Sequence, residues 1–302
     1  MRKILCVIAA LLVISIVLSI AVYAESANDI TKSSKKSENT KSSKLDKYVN
    51  KEFENKITKQ FAKDKNWTKI NSTSVFTTWI KTDDHHTKDG KKIWNKAIFE
   101  LDPTRKYDKV KSDKKTVVVY PIFTDSAYSE PGFYTYYRNE CDTKCLTIKI
   151  QNNFLPQANP NAVQILKLLD YSFITDIDVD KNPQVLAKYD KVIILHNEYV
   201  TKKEFNAITA HPNVIYLYPN ALYAEIKADY AKNTIMLIRG HNYPKSDIRN
   251  GFDWKFDNSP SEYDTACKKM QFSRIDNGWM LNCYPENIIH KSMRFLETIK
   301  KL

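Results

Sequence analysis

Four short apolar runs, rich in β-branched residues, constrain the fold of this chain more than any other feature of its sequence. Each run is continuous instead of alternating with polar residues, which is typical of strands that are covered on both faces of a sheet. The runs occupy residues 117–123, 191–195, 214–218 and 234–238. Strands separated by helices predict right-handed crossovers, so the expected fold class is α/β, with a mostly parallel sheet flanked by helices.

Helical patterns fill the intervals between these runs. Residues 161–169 carry apolar side chains at helical spacing. Thr201 and Glu204 form a capping box that predicts the start of a second helix. A single apolar face over residues 285–302 predicts a final helix that packs on the sheet.

The N-terminus is typical of an exported protein. A basic start precedes an uncharged apolar run over residues 4–23, which is the layout of a signal peptide. The run is also long enough to span a bilayer if it is not cleaved. We therefore expect an extracellular or cell-surface location and three parts: a signal peptide or membrane anchor at 1–24, a Lys/Ser-rich tether at 25–70, and an α/β domain at 71–302.

Composition limits the classes of partner. The chain has five glycines, and they cannot form the glycine-rich phosphate loops of nucleotide-binding proteins. The net charge is +12, but the lysines are scattered among aspartates, which indicates a solvated surface and no nucleic-acid partner. Glycosylation sequons at Asn66 and Asn71 fit an exposed surface. Membrane contact is expected only through an uncleaved N-terminal segment, and a cell-surface partner fits a tethered domain.

Four cysteines follow the N-terminal run, and in an exported chain they favour two disulfides. Proximity in sequence predicts the pairs Cys141 with Cys145 and Cys267 with Cys283. A zinc site is the alternative, although C-x-x-x-C is not the usual zinc-knuckle spacing and an oxidising compartment disfavours free thiolates.

Polar residues cluster where the predicted strands end. In an open α/β sheet the ligand crevice lies beyond the carboxyl ends of the strands, so these residues are expected to converge. The candidates are Asp125 and Tyr128, then His196, Glu198 and Tyr199, then Asn220 and Tyr223, and finally His241. The alternative is that these groups only cap helices or bond to backbone, because loops at strand ends are polar in any protein.

The same stretch of chain resembles a known family. Residues 175–178 read T-D-I-D, residues 196–201 read H-N-E-Y-V-T, and residues 220–223 read N-A-L-Y, while Ala127 and Tyr128 follow an earlier strand. These motifs resemble the glutamine-amidotransferase-like domain of the N,N-dimethylformamidase large subunit. The chain is also similar to a group of exported archaeal proteins of this kind. The resemblance implies a class I glutamine-amidotransferase-like, flavodoxin-like fold.

The resemblance also implies a cofactor, because that family holds one iron ion with two tyrosines and a glutamate. Tyr128 and Tyr199 are then the expected metal ligands, with His196 and Glu198 near the substrate. Glu262 and Glu286 are the candidates for the glutamate ligand.

Two functions follow from these observations. The first is a cell-surface α/β protein that binds a ligand or a partner, with Asp125, Asn220 and Tyr223 as binding residues. The second is a metal-dependent hydrolase that acts on an amide-like bond with one iron or zinc ion. In that hypothesis His196, Glu198 and His241 are the catalytic candidates, and Glu198 or His196 takes the proton.

Overall fold

The computed structural model describes residues 67–70, 75–81, 83, 85–88, 91–94, 97–113, 115–151 and 160–302. These residues belong to a unit that spans Lys59–Leu302. The expected signal peptide or anchor lies outside the described residues, as do both sequon asparagines and nearly all of the expected tether. The last four residues of the tether segment form strand β1 (Trp67–Ile70).

Two small antiparallel sheets precede the first predicted strand. One has the order β1-β2-β5, and the other is the hairpin of β3 and β4. The remaining strands of these sheets are β2 (Phe76–Lys81), β3 (His85–Lys88), β4 (Lys91–Trp94) and β5 (Ala97–Leu101).

The largest sheet has six strands in the order β14-β15-β11-β9-β6-β8. All of its pairings are parallel except that of β14 with β15, which is antiparallel. Its strands, in chain order, are β6 (Thr116–Tyr120), β8 (Ser172–Thr175), β9 (Lys191–Ile194), β11 (Val214–Tyr216), β14 (Phe272–Ile275) and β15 (Gly278–Leu281).

A four-stranded sheet of mixed orientation has the order β10-β12-β13-β7. Its strands are β7 (Thr147–Lys149), β10 (Tyr199–Thr201), β12 (Ala224–Asp229) and β13 (Thr234–Arg239). The run at 234–238 therefore does not belong to the six-stranded sheet, because β13 pairs antiparallel with both β12 and β7. The chain is α/β with several sheets of mixed orientation, and parallel pairing is concentrated in the six-stranded sheet.

Five α-helices of the described part lie between these strands, and a sixth follows the last strand. They are α1 (Ile122–Ala127), α2 (Phe133–Tyr137), α3 (Pro160–Leu168), α4 (Asp176–Lys181), α5 (Lys202–Ala210) and α6 (Met293–Lys301). The predicted capping box is confirmed, since the Thr201 side chain accepts from the N–H of Glu204. The predicted final helix is shorter than expected, because a 3-10 turn at Pro285–Asn287 precedes α6 and Ser292 caps it.

The continuous apolar strands are explained by burial on both faces of the six-stranded sheet. Val118, Ile193 and Ile215 belong to one hydrophobic cluster, whereas the neighbouring residues Val117 and Val192 belong to another. Successive side chains of a strand point to opposite faces. Layers on both sides of the sheet therefore require apolar residues at every position.

The last helix is held to this sheet by a buried lysine at the start of β9. Lys191 is 8% exposed, and its Nζ donates to the carbonyl oxygens of Ile299 (3.3 Å) and Lys300 (2.9 Å). These carbonyls belong to the last turn of α6, where intrahelical donors are absent. The ammonium also suits the negative end of the helix dipole.

In the described part of the chain, no helix combines the length and the apolar character needed to cross a membrane.

Both predicted cysteine pairs are confirmed as disulfides. Cys141 is bonded to Cys145 and Cys267 to Cys283, with Cα separations of 6.1 Å and 5.2 Å. Such bonds are consistent with an extracellular location.

We predict that the two disulfides differ in their contribution to stability. Loop-closure entropy gives about 2 kcal/mol for the Cys141–Cys145 loop and about 3 kcal/mol for the longer Cys267–Cys283 loop. Replacing both cysteines of a pair with alanine should lower the free energy of urea unfolding. The decrease should be smaller for Cys141 and Cys145 than for Cys267 and Cys283. A larger loss at Cys141 and Cys145 would contradict this loop-length argument.

Candidate functional site

The candidate site is built on the four residues that follow β9, at positions 195–198. The N–H of Leu195 donates to the side chain of Asn197 at 3.0 Å, which turns the chain sharply. The carbonyl of Glu198 then accepts from the N–H groups of Tyr223 (3.0 Å) and Ala224 (2.9 Å). This turn places His196 and Glu198 between α1 and the segment that leads into β12.

Glu198 is the centre of the site. Its side chain has no exposed surface, and its carboxylate accepts a hydrogen bond of 2.7 Å from the hydroxyl of Tyr128. The other carboxylate oxygen contacts Nε2 of His241. Nε2 of His196 lies 3.6 Å from the oxygen that Tyr128 contacts. Three segments of the chain thus meet at one buried carboxylate.

The surroundings of Glu198 favour its charged form. Burial alone would favour the neutral acid and raise the pKa, but the attraction and hydrogen bond of His241 oppose it most strongly. His196 and the hydroxyl of Tyr128 act in the same direction. The pKa of Glu198 therefore lies below its ordinary value, and the site carries a buried negative charge at neutral pH.

His196 is a buried imidazole whose hydrogen-bonding capacity is unused. It is 4% exposed, and neither ring nitrogen has a hydrogen-bond partner among the described residues. Burial lowers its pKa, although Glu198 partly opposes this shift, so the ring is neutral. It is surrounded by the rings of Tyr128, Tyr218 and Tyr284, with centroids 5.8, 6.0 and 5.8 Å away.

A chain of phenol hydroxyls leads away from Glu198. The hydroxyl of Tyr134 donates to that of Tyr128 at 3.1 Å, and it is also hydrogen-bonded to Tyr199. The hydroxyl of Tyr199 donates to that of Tyr137 at 3.3 Å. Burial, with a further contribution from Glu198, raises the pKa of Tyr128 and Tyr199 well above the usual range, so both phenols are neutral.

His241 reaches the site from the four-stranded sheet. His241 follows β13 and Tyr199 lies within β10, and both strands belong to the four-stranded sheet. The expectation that all site residues follow strands of one sheet is therefore wrong. Strand β12 pairs parallel with β10, which follows Glu198, and β13 then runs antiparallel to β12. His241, which follows β13, is thereby brought back to Glu198. Its side chain is 21% exposed, which makes it the most accessible member of the imidazole and carboxylate group.

The three predicted binding residues have different surroundings. The Tyr223 ring packs edge-on against His241, with centroids 4.7 Å apart. The Asn220 side chain contacts the carboxylate of Glu262 instead of Glu198. Asp125 is buried in α1, where its charge acts on Tyr120.

Sequence reasoning missed Tyr134 and Tyr137, which extend the site from α2. They lie three residues apart in a tyrosine-rich segment, F-Y-T-Y-Y at 133–137, which is spacing that places side chains on one helical face. That pattern was available in the sequence, but the segment follows no predicted strand. Its role depends on the packing of α2 against Tyr128 and Tyr199.

Tyr218, whose ring stacks against His196, forms a second pair with the partly buried Glu286. The Tyr218 hydroxyl donates to Glu286, whose carboxylate also accepts from the N–H groups of Asn161 (3.0 Å) and Ala162 (3.3 Å). Glu286 thus caps the first turn of α3. Burial raises its pKa to about 7, although these hydrogen bonds oppose the shift.

The residues that could hold a metal are the phenols and Glu198. Within the described ranges, no three histidine, cysteine, aspartate or glutamate side chains are grouped to bind an ion. The hydroxyl of Tyr128 lies 2.7 Å from the carboxylate of Glu198 and 3.1 Å from the hydroxyl of Tyr134, and the hydroxyls of Tyr199 and Tyr137 are 3.3 Å apart. Neighbouring oxygen ligands that bind one ion at 2.0–2.2 Å are separated by about 3 Å. Tyr128 and Glu198 are therefore adjacent oxygen donors, whereas the hydroxyl of Tyr199 is hydrogen-bonded to Tyr137 and Tyr134.

No protein-family model matches this chain, and comparison with curated proteins finds no significant relative.

We predict that Glu286 makes the protein less stable as the pH rises. Its pKa is about 7 in the folded chain and 4.5 in the absence of burial, so the folded state binds more protons between these values. The stabilising contribution of the neutral acid is complete below pH 4.5 and is lost as the pH passes 7. A shift of this size corresponds to about 3 kcal/mol.

Unfolding of Glu286→Gln should be measured from pH 5 to pH 8 beside the wild type. The wild type should lose more stability over this range than the variant, whereas Glu297→Gln, at an exposed position of α6, should follow the wild type. Parallel curves for Glu286→Gln and the wild type would show that Glu286 does not titrate in this range.

Proposed function

We propose that this protein is an exported, cell-surface α/β protein that binds a small polar ligand beside Glu198. The observation that carries the proposal is the buried imidazole of His196, whose two nitrogens have no hydrogen-bond partner among the described residues. An unsatisfied buried polar group costs about 1–3 kcal/mol. A ligand that bonds to both nitrogens would recover this cost and turn it into binding affinity.

The chemistry of His196 favours an amide-like group. A neutral imidazole presents one N–H donor and one acceptor nitrogen. A primary or secondary amide presents a complementary carbonyl acceptor and N–H donor. The adjacent carboxylate of Glu198, 3.6 Å away, could accept a further proton donor of the ligand.

The position of the site supports the finer fold assignment that the sequence motifs imply. His196 and Glu198 follow the carboxyl end of β9, and Asn220 lies beyond the end of β11 in the same parallel part of the six-stranded sheet. This is where ligands bind in open α/β sheets. A glutamine-amidotransferase-like, flavodoxin-like fold is the assignment that we propose for this part of the chain.

Export is supported by two independent features. The N-terminal sequence has the layout of a signal peptide, and both disulfides are of the kind that persist in an oxidising compartment. A tether rich in lysine and serine would hold the folded part at the cell surface, where a partner could also contact it.

The binding function predicts that a simple amide perturbs His196. In protein labelled with ¹⁵N-histidine, the primary amide acetamide and the secondary amide N-methylacetamide should shift the ring nitrogen signals of His196 at pH 7. His211 is an internal control, because both of its ring nitrogens already contact backbone groups. Saturable shifts that weaken in Glu198→Gln would support the proposal, and an unperturbed His196 would contradict binding of an amide at this position.

A metal-dependent hydrolase acting on an amide-like bond is the second candidate. The oxygen donors of Tyr128, Tyr199 and Glu198 favour it, together with the family resemblance. A bound iron or zinc ion would supply a polarised carbonyl and an activated water. In this arrangement His196 is placed to bond to the substrate, and Glu198 or His196 is placed to accept a proton.

Metal content separates the two candidates. Protein purified without chelator should contain one iron or zinc ion per chain if the hydrolase is correct. The ion should be lost in Tyr199→Phe and retained in Tyr216→Phe, a matched change at a buried tyrosine that packs in the other hydrophobic cluster. A metal-free and well-folded wild type would remove the hydrolase and leave the binding function.

A further inference from the structure

The imidazole of His241 occupies an aromatic enclosure. Four tyrosine rings surround it, at centroid distances between 4.7 and 6.5 Å. The rings are those of Tyr223 at 4.7 Å, Tyr137 at 5.1 Å, Tyr199 at 5.4 Å and Tyr134 at 6.5 Å. The Tyr199 ring is nearly parallel to the imidazole, and the Tyr134 and Tyr223 rings are tilted by 65° and 67°. Aromatic faces and edges therefore cover His241 from several sides.

The inner end of this enclosure carries a negative charge. Nε2 of His241 contacts the carboxylate of Glu198, which is fully buried. The surrounding phenols are neutral, because burial raises the pKa of Tyr134 and Tyr137 and the charge of Glu198 raises it further. A buried carboxylate below neutral aromatic rings is the arrangement that recognises organic cations.

Nearby arginines do not neutralise this charge, because they are engaged elsewhere. Arg138, which follows α2, pairs with Glu130 and Glu140. Arg239, at the end of β13, pairs with Asp253 and donates to the carbonyl of Gly251.

The backbone that carries His241 forms a tight hairpin turn between Gly240 and Tyr243. His241 and Asn242 have φ angles of +51° and +63°, and Gly240 before them has φ +120°. Gly240 and Tyr243 exchange two backbone hydrogen bonds, of 2.9 and 3.0 Å, and positive φ at both central residues is what a type I′ hairpin turn requires. This turn directs the His241 side chain, which is 21% exposed, into the enclosure.

We infer that the enclosure formed by Glu198, Tyr134, Tyr137, Tyr199 and Tyr223 is a subsite for a small organic cation, which displaces the imidazole of His241. A guanidinium or alkylammonium group would make the same two interactions as His241: a charge-assisted hydrogen bond to Glu198 and contact with the tyrosine faces. This inference rests on the proposed function in placing a ligand at Glu198, and it names the chemical class of that ligand. His196, whose ring nitrogens have no hydrogen-bond partner among the described residues and whose Nε2 lies 3.6 Å from Glu198, would bind a polar group of the same molecule.

The test uses two probes of nearly equal shape and different charge, methylguanidinium and N-methylurea. By isothermal titration calorimetry, the wild type should bind methylguanidinium, and His241→Ala should bind it more tightly by about tenfold or more, because no imidazole has to be displaced. N-methylurea should bind at least about tenfold more weakly to both proteins, since it lacks the charge. Adding Glu198→Gln to His241→Ala should abolish the preference for the cation.

Controls separate this inference from the proposed function and from misfolding. His290→Ala, a histidine that packs against Phe99 outside the enclosure, should bind methylguanidinium as the wild type does. Circular dichroism should show that His241→Ala is folded, and His241→Ser is a second variant if it is not. Absence of methylguanidinium binding to the wild type, or equal affinity for the two probes, would overturn the inference. If acetamide still perturbed His196 in that case, the proposed binding function would stand without the cation subsite.

Discussion

The buried carboxylate of Glu198 is the interaction on which the site depends. A charge removed from water is tolerated only when it is paired and hydrogen-bonded. Tyr128 from the end of α1 and His241 from the end of β13 provide that compensation. Replacing either partner alone would leave part of a buried charge uncompensated, so the three segments are constrained to remain together.

The contacts of Glu198 connect two sheets whose strands differ in how their faces are buried. The six-stranded sheet is defined by burial on both faces, which explains the continuous apolar strands β6, β9 and β11. The four-stranded sheet has one more accessible face, since its inner strand β13 alternates between buried and more accessible residues. Glu198 lies where the chain passes from β9 of the first sheet to β10 of the second, so the carboxylate can receive groups from both.

The site combines one fully satisfied group with one unsatisfied group. Glu198 has partners for both carboxylate oxygens, whereas the neighbouring His196 has none at either ring nitrogen among the described residues. The first arrangement stabilises the folded chain, and the second costs free energy unless a ligand is bound. The proposed ligand recognition would account for an imidazole of this kind beside a buried charge.

Local sequence alone determined the α/β class, the capping box at Thr201 and Glu204, and the two cysteine pairs, because each depends on residues close together in the chain. It also placed His196, Glu198 and Tyr128 beyond strand ends, since a buried strand and the polar residues after it can be read directly. Only the tertiary structure decided that β13 joins a second sheet and that His241 nevertheless reaches Glu198, because strand pairing depends on contacts between distant residues. The role of Tyr134 and Tyr137 was likewise undecided by sequence, since a tyrosine on a short helix gains its function only from the groups against which that helix packs.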